Sequence, residues 1–501
     1  MNRWGKAGLR SVLTAAAMLA LFPATSWAWG DKDDDPSPPV RPPDGNKVRP
    51  QKPERELRQI LRDIDHRHVE RTIKTLAGFG TRHLESSQTD PNQGIGAAIN
   101  FVFETLQGYA AVSGGRMTVE KQTYHQGPVP GAVLNPAGVD VTNVVATIHG
   151  SLTPERIYLI SRHIDTRRTI LTNPDALQPG ADDDASGVAV IMEVARVLAS
   201  HSPESTIVLT AVDGEEEGLF GSDFQAKQYK AAGANIEGMF SNDIVGASRS
   251  EHGVSDAHRL RLFSEGVPTT LRPSAIPPTT PPLTGALLTP AQSLALQLLQ
   301  LTGGENDSQS RQLARFVKSV AENEETDMRV WHLYRRDRYL RASDHVSYQT
   351  QGYPAARFTE PNETFAHEHQ DVRVENGVQF GDLVEFVDFN YVARVAKVNA
   401  ATLWSLSQAP GTPKNVQIHA PVLTNDTLLT WDANTDPDLD QYEVVWRQTS
   451  EEDWTNAIPV GNVTSISLPA APKDNFQFGV RAVDREGHRS PVGFPVTNFT
   501  N

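Results

Sequence analysis

The run of apolar segments between residues 156 and 213 constrains the fold more than any other feature. RIYLISRHID is almost wholly apolar up to His163 and reads as a strand. Residues 185–201 put Val188, Ile191, Met192, Ala195 and Leu198 on one helical face. STIVLTAVD (205–213) is again continuously apolar and short, as a strand covered on both faces should be. Strand, helix, strand in that order predicts an α/β domain whose central sheet is mixed, largely parallel and flanked by helices. TNVVATIHG adds a strand upstream. RELRQILRDI (Leu57, Ile60, Leu61, Ile64), the Val69–Ile73–Leu76 spacing and NFVFETLQGY add helices. This domain is expected over residues 54–408.

Parallel sheets take their ligands outside the carboxyl ends of their strands. The unusual residues of this chain lie there. SRHID closes a strand with His163 and Asp165. PGADDDASG sets Asp182, Asp183 and Asp184 at a helix entry, and DGEEEGLFGS puts Glu215, Glu216 and Glu217 after the next strand. MFSNDIVG contributes Asp243, and SDH (343–345) and FTEPNETFAHEHQD follow, with His367 and His369. Taken singly each cluster has an ordinary reading: a helix-dipole complement, a solvated loop, a surface histidine. Gathered at one sheet edge, so many carboxylates would repel one another by several kcal/mol unless cations screened them. The chain has no cysteine, so thiolate sites, disulfides and a cysteine nucleophile are excluded. A metal pair held by imidazole and carboxylate suits zinc, with cobalt or manganese possible.

The ordered set SRHID, PGADDDASG, GEEEGL, NDIVG, SDH and FAHEHQD, with FGTRH at 79–83, resembles the co-catalytic zinc aminopeptidase family typified by bacterial leucyl aminopeptidases and aminopeptidase Y. The resemblance covers roughly residues 55–395 and implies the zinc exopeptidase fold. It implies two zinc ions per chain, replaceable by cobalt or manganese, with His163, Asp183, Glu216, Asp243 and His367 as ligands. Asp183 would bridge the ions, and a cis peptide would join it to Asp184. His367 is favoured as last ligand because it stands four residues before Asp371. The local HEHQD departs from the family's usual pattern and keeps His369 as the alternative. Glu215 matches the general base, and Asp165 the carboxylate that orients His163. The implied reaction is removal of N-terminal residues from peptides with a free amino terminus. Other activities on the same scaffold are a carboxypeptidase, a dipeptidase or a glutaminyl cyclase. A reading of another class is an inactive, adhesive peptidase-like protein. Arg335, Arg336, Arg338 and Arg341 in YRRDRYLRASDH are either a basic surface strand or a seat for a substrate carboxylate.

The ends differ in character. Arg3, Lys6 and Arg10 precede an apolar run to Phe22, and Ser26 and Ala28 suit cleavage, so residues 1–28 read as an export signal. The run is too short to span a bilayer. With no other long apolar stretch, the expectation is a bacterial periplasmic or secreted protein without a membrane span. Residues 29–53 are Pro-rich and charged, and are expected to be a disordered linker. The net charge of -15 speaks against a nucleic-acid partner. From 411 to 498 short runs alternate with period two (DTLLTWDA, QYEVVWRQ, FQFGVRAV) between turn-rich stretches, which predicts an all-β sandwich. It resembles a fibronectin type III domain through Trp431, Tyr442, Val444 and the late strand, with Phe476 where that family usually has a Tyr. Contact with a polymer or cell surface is what that resemblance allows. Residues 267–290 are expected to form a long Pro-rich loop beside the helix at 291–301.

Overall fold

The computed structural model describes residues 45–133, 135–169, 173–271 and 288–500. The expected export signal, the linker up to residue 44 and most of the Pro-rich loop lie outside the described residues. The chain begins with β1 (Asn46–Lys47), α1 (Arg55–Arg62), α2 (His66–Gly78) and α3 (Gly94–Ala111). Strands β2 (Met117–Gln126), β3 (Val139–Ile148) and β4 (Thr153–His163) follow. Next come α4 (Ala185–Leu198), β5 (Ser205–Val212), α5 (Phe220–Ala231), β6 (Asn235–Asn242) and β7 (Arg259–Ser264). Then α6 (Pro290–Leu301), α7 (Gln309–Ala321), β8 (Arg329–Leu333), α8 (His345–Thr350), β9 (Ala355–Thr359), the hairpin β10 (Arg373–Glu375) and β11 (Val378–Phe380), and α9 (Phe389–Gln408) complete this part.

Strands β2 to β9 form one eight-stranded sheet in the order β2-β3-β5-β4-β6-β9-β7-β8. Its centre is parallel: β4 pairs with β5 and β6, and β6 with β9. The pairs β2–β3, β3–β5 and β7–β9 are antiparallel. The sheet is therefore mixed, as expected. Every residue of β5 is buried, because helices cover both faces. Tyr158 and Ile160 of β4 face the larger core, with α2, α3, α4 and α9. Leu159 between them faces the other core, with Ala226 of α5 and Tyr348 of α8. Two positions fix where α4 starts. The Asp184 carboxylate accepts from the Gly187 amide at 3.0 Å, and a Cβ on Gly187 would meet the Asn242 carbonyl at 2.6 Å. The helix entry is thereby pinned against the end of β6.

The C-terminal strands β12 (Gln417–His419), β13 (Thr427–Thr430), β14 (Leu439–Gln448), β15 (Asn456–Gly461), β16 (Ser465–Leu468), β17 (Phe476–Asp484) and β18 (Val496–Asn498) make two further sheets, β1-β15-β14-β17 and β16-β13-β12-β18. Leu429 and Leu468 of one share a core with Tyr442, Trp446 and Phe478 of the other. Phe476 has no hydroxyl to tie down, and it is Tyr442 whose hydroxyl accepts from the Asn434 amide, at 2.7 Å.

Two findings modify the expected organisation. Residues 45–53 are ordered: Asn46 and Lys47 pair with Ala457 and Asn456, and the amides of Val48 and Gln51 donate to the carbonyls of Thr455 and Ser319. An open strand edge needs only backbone partners, so Pro-rich, charged composition does not forbid this pairing. The C-terminal sheets also do not stand apart, since the described residues make one compact unit. Arg156 of β4 pairs with Asp436 at 2.5 Å, and Asp307 before α7 takes both Arg315 and Arg447, all of them buried.

Candidate metal centre

The parallel register brings the clusters together. His163, the last residue of β4, lies beside Val212, the last of β5. The loop after β5 then delivers Glu215 and Glu216, and the turn after β6 delivers Asp243. Asp183 comes from the segment entering α4, and the peptide between it and Asp184 is cis.

Two ligand-like groups result: His163, Asp183 and Asp243 in one, Asp183, Glu216 and His369 in the other. In each, one donor atom per residue lies within 4.8 Å of the others. His163 Nε2 is 3.1 Å from Asp183 Oδ1, and His369 Nε2 is 3.0 Å from both Asp183 Oδ2 and Glu216 Oε1. Asp183 thus turns one oxygen to each group. Among the expected residues, His367 is left out, and its ring stacks on Phe386 at 3.6 Å. His369 reaches in because its backbone is left-handed (φ 52°), which reverses the chain at that residue. A count of residues back from Asp371 carries no information about such a turn.

The donor set fits a pair of divalent cations. Asp183 Oδ1 and Glu216 Oε1 are buried, make no well-directed hydrogen bond, and face the imidazoles of His163 and His369 at 3.1 and 3.0 Å. The pocket also draws positive charge onto its imidazoles. Burial opposes protonation of His369, but Glu216 and Asp183 push it up to about 10. Burial likewise works against His163, yet Asp165 and Asp183 raise it well above its ordinary value. The carboxylates that draw protons onto these rings would equally attract a divalent cation, whose binding would displace those protons.

Asp165 serves the site from behind. Its carbonyl lies 3.1 Å from His163 Nδ1 and its carboxylate 3.6 Å away. That carboxylate accepts from the amides of Glu215 (3.2 Å) and Glu216 (2.9 Å), so it sets the glutamate loop as well as the ring. Glu215 lines the cavity beside the two groups. Desolvation there lifts its carboxyl well above 4.5, with His163 opposing and Asp243 and Glu216 adding to the rise.

Several supports were not visible as such in the sequence. Asp382 accepts from the amides of Asp182 (2.8 Å) and Asp183 (2.7 Å). Arg357 pairs with Asp243 at 2.8 Å, and Arg162 with Asp184 at 3.0 Å. Arg82, the arginine of FGTRH, is wholly buried and donates to the carbonyls of Ile164 (2.7 Å) and Gly180 (2.9 Å), stitching together the loops that carry His163 and Asp183. His345 of SDH is buried away from the groups. It contacts the Arg336 carbonyl at 3.0 Å, and burial lowers its pKa to about 4, which keeps the ring neutral.

The cavity over the groups holds about 350 Å³. Its larger aliphatic lining residues are Leu219, Ile244 and Leu340, all with left-handed backbone (φ 61°, 57° and 58°). For a β-branched residue such as Ile244 that conformation is costly, and strain of this kind gathers where side chains must be aimed at a ligand.

Comparison with known proteins agrees with this chemistry. The profile of peptidase family M28 matches residues 143–271, a stretch that contains His163, Asp183, Glu215, Glu216 and Asp243. A probable zinc metalloprotease of Pyrenophora tritici-repentis is 46% identical over 451 residues, 90% of this chain and 89% of that one. A probable zinc metalloprotease of Leptosphaeria maculans is 46% identical over 448 residues, 89% of this chain and 98% of its own length. Both relatives are fungal, so the bacterial source expected from the sequence finds no support. Among solved structures, an aminopeptidase, LapA, of Legionella pneumophila covers 73% of this chain and 78% of its own at 17% identity, with a TM-score of 0.47.

Proposed function

Because this chain belongs to peptidase family M28, with relatives named probable zinc metalloproteases, we propose that it is an exported aminopeptidase working with two zinc ions. The observation that carries the reading is the position of Asp183, one oxygen towards His163 and Asp243, the other towards Glu216 and His369. Zinc bound there supplies Lewis acidity for the scissile carbonyl and lowers the pKa of water. The protein's own groups do the rest. Glu215, with its raised pKa, takes the proton of the attacking water and hands it to the departing amine. Asp165 and Asp382 hold the loops that aim the ligands. The surplus of carboxylates around the cavity favours a cationic α-ammonium group, which supports attack at a free N-terminus.

The sequence pattern at 1–28 supports export. The shared core of the C-terminal sheets, with Trp431 edge-on to Tyr442 at 5.4 Å, supports reading them as a fibronectin type III-like sandwich that spaces the enzyme from, or contacts, a polymer.

The test is hydrolysis of leucyl-nitroanilide and acetyl-leucyl-nitroanilide by protein that is chelator-treated and then resupplied with zinc. The expected result is cleavage of the free substrate alone, lost with chelator and restored by zinc. Equal cleavage of the blocked substrate would remove the aminopeptidase assignment and leave a zinc peptidase of other specificity.

A further inference from the structure

Four arginines precede the SDH motif, and the structure separates them. The Arg335 guanidinium carbon sits 3.6 Å from the centre of the Tyr339 ring, and neither it nor Arg336 lines the cavity. Arg338 does line it, but it is spent on Glu363 at 2.5 Å. Arg341 lines the cavity with its side chain 31% exposed, and its contacts are weak: Glu368 at 3.3 Å and His369 Nδ1 at 3.3 Å. Charge-assisted hydrogen bonds are normally about 2.7–2.9 Å. Glu368 also faces Arg338, at 3.8 Å.

The 3.3 Å approach to His369 Nδ1 is too long to hold the guanidinium in place. Among the described residues its ion-pair partner is Glu368, and the carboxylates of Asp183, Glu216 and Asp243 act on it at longer range. Arg167 lines the same cavity, its position fixed by a 3.1 Å hydrogen bond to the Glu216 carbonyl.

We propose that Arg341, assisted by Arg167, seats a carboxylate of the substrate, so that peptides bearing a carboxylate close to the scissile bond are preferred. This rests on the metallopeptidase reading and adds a substrate class to it. The carboxylate has two possible sources, the C-terminus of a short peptide or an acidic N-terminal side chain. Planar two-point recognition is what a guanidinium provides and an ammonium does not.

The experiment compares kcat/KM for two pairs with zinc-loaded protein: Leu-Gly against Leu-Gly-amide, and Glu-nitroanilide against Gln-nitroanilide. Calorimetric binding of uncleaved D-Leu-Gly and its amide supplies a readout without turnover. The expected result is a ratio of about tenfold or more in one pair, which names the source. It should fall towards one in Arg341→Ala and by an intermediate amount in Arg341→Lys. Wild-type ratios within twofold of one in both pairs overturn the proposal, as does a ratio that persists in Arg341→Ala. Should the alanine variant fail to fold, Arg341→Lys decides, and an undiminished ratio there overturns it too. If no peptide with a free N-terminus is cleaved at all, it is the metallopeptidase reading that fails. Cleavage without preference removes the carboxylate seat alone.

Discussion

Arg357 clamps Asp243 with an ion pair of 2.8 Å and turns its other arm to both oxygens of Asp337 at 3.1 Å. All three side chains are buried, so one guanidinium offsets two carboxylates. Replacing it with an apolar side chain of similar length, Arg357→Met, leaves Asp243 without this ion pair and Asp337 with only the longer side-chain contacts to Arg338 (3.9 Å) and His345 (3.7 Å). The expected loss is about 3–5 kcal/mol, read as a shift in denaturant midpoint at unchanged slope. Arg357→Lys should recover a minority of it, because an ammonium cannot serve both partners.

His369 and His367 should behave oppositely. His369→Ala is expected to bind about one zinc fewer per chain by atomic emission and to lose at least about a hundredfold in kcat/KM. His367→Ala should keep its zinc and lose only the stack on Phe386, worth about 0.5–1.5 kcal/mol. Reversal of these two results would restore His367 as the ligand.

Glu215→Gln keeps the size and polarity of the side chain but cannot take a proton. Its zinc content should match wild type while kcat falls by about 10²–10⁴. Activity within about tenfold of wild type would contradict the role given to it.

His488 provides a pH test remote from the metal centre. Bonds to Asp484 (2.8 Å) and Glu54 raise its pKa to about 10. A group raised above its unfolded value of about 6.5 contributes fully below that value, and the contribution is lost as pH climbs through 10. The Tm difference between wild type and His488→Gln should therefore be largest near pH 6 and shrink steadily towards pH 10. A difference independent of pH across that window would show that the charge is not what matters.

Asp307 joins Arg315 of α7 (2.6 Å) to Arg447 of β14 (2.7 Å). Asp307→Ala leaves two buried guanidinium groups facing each other, at an expected cost of about 3–5 kcal/mol. A double-mutant cycle of Asp307→Ala with Arg447→Met measures how much of that is coupling between the two parts.

The sequence revealed what local patterning controls. Apolar runs ending in His163 or leading into Glu215 and Asp243 announced both the strands and their functional ends, because parallel strands start and stop together. Period-two alternation announced the C-terminal sheets. The choice between His367 and His369 depended on a left-handed turn at a non-glycine residue, which leaves no signature in composition. Asp382 and Arg357 were unreadable for another reason: each supports a candidate ligand that is distant in sequence, and nothing in its own neighbourhood marks it, whereas Arg82 was flagged by FGTRH without its buried role being legible. Residues 45–53 looked unable to order because they bury little apolar surface. The hydrogen bonds that hold them come from partners that local sequence does not contain.

The short pairing of Asn46–Lys47 with β15 has a consequence for how the molecule is made. The Lys47 ammonium meets Asn456 across 409 residues of chain. On a ribosome the leading segment emerges early and waits, with nothing to pair with, until most of the polypeptide has been synthesised. The seam it closes is thus a late event in assembly, and a maturation cut placed upstream of Asn46 spares it, whereas one a few residues downstream unpicks it.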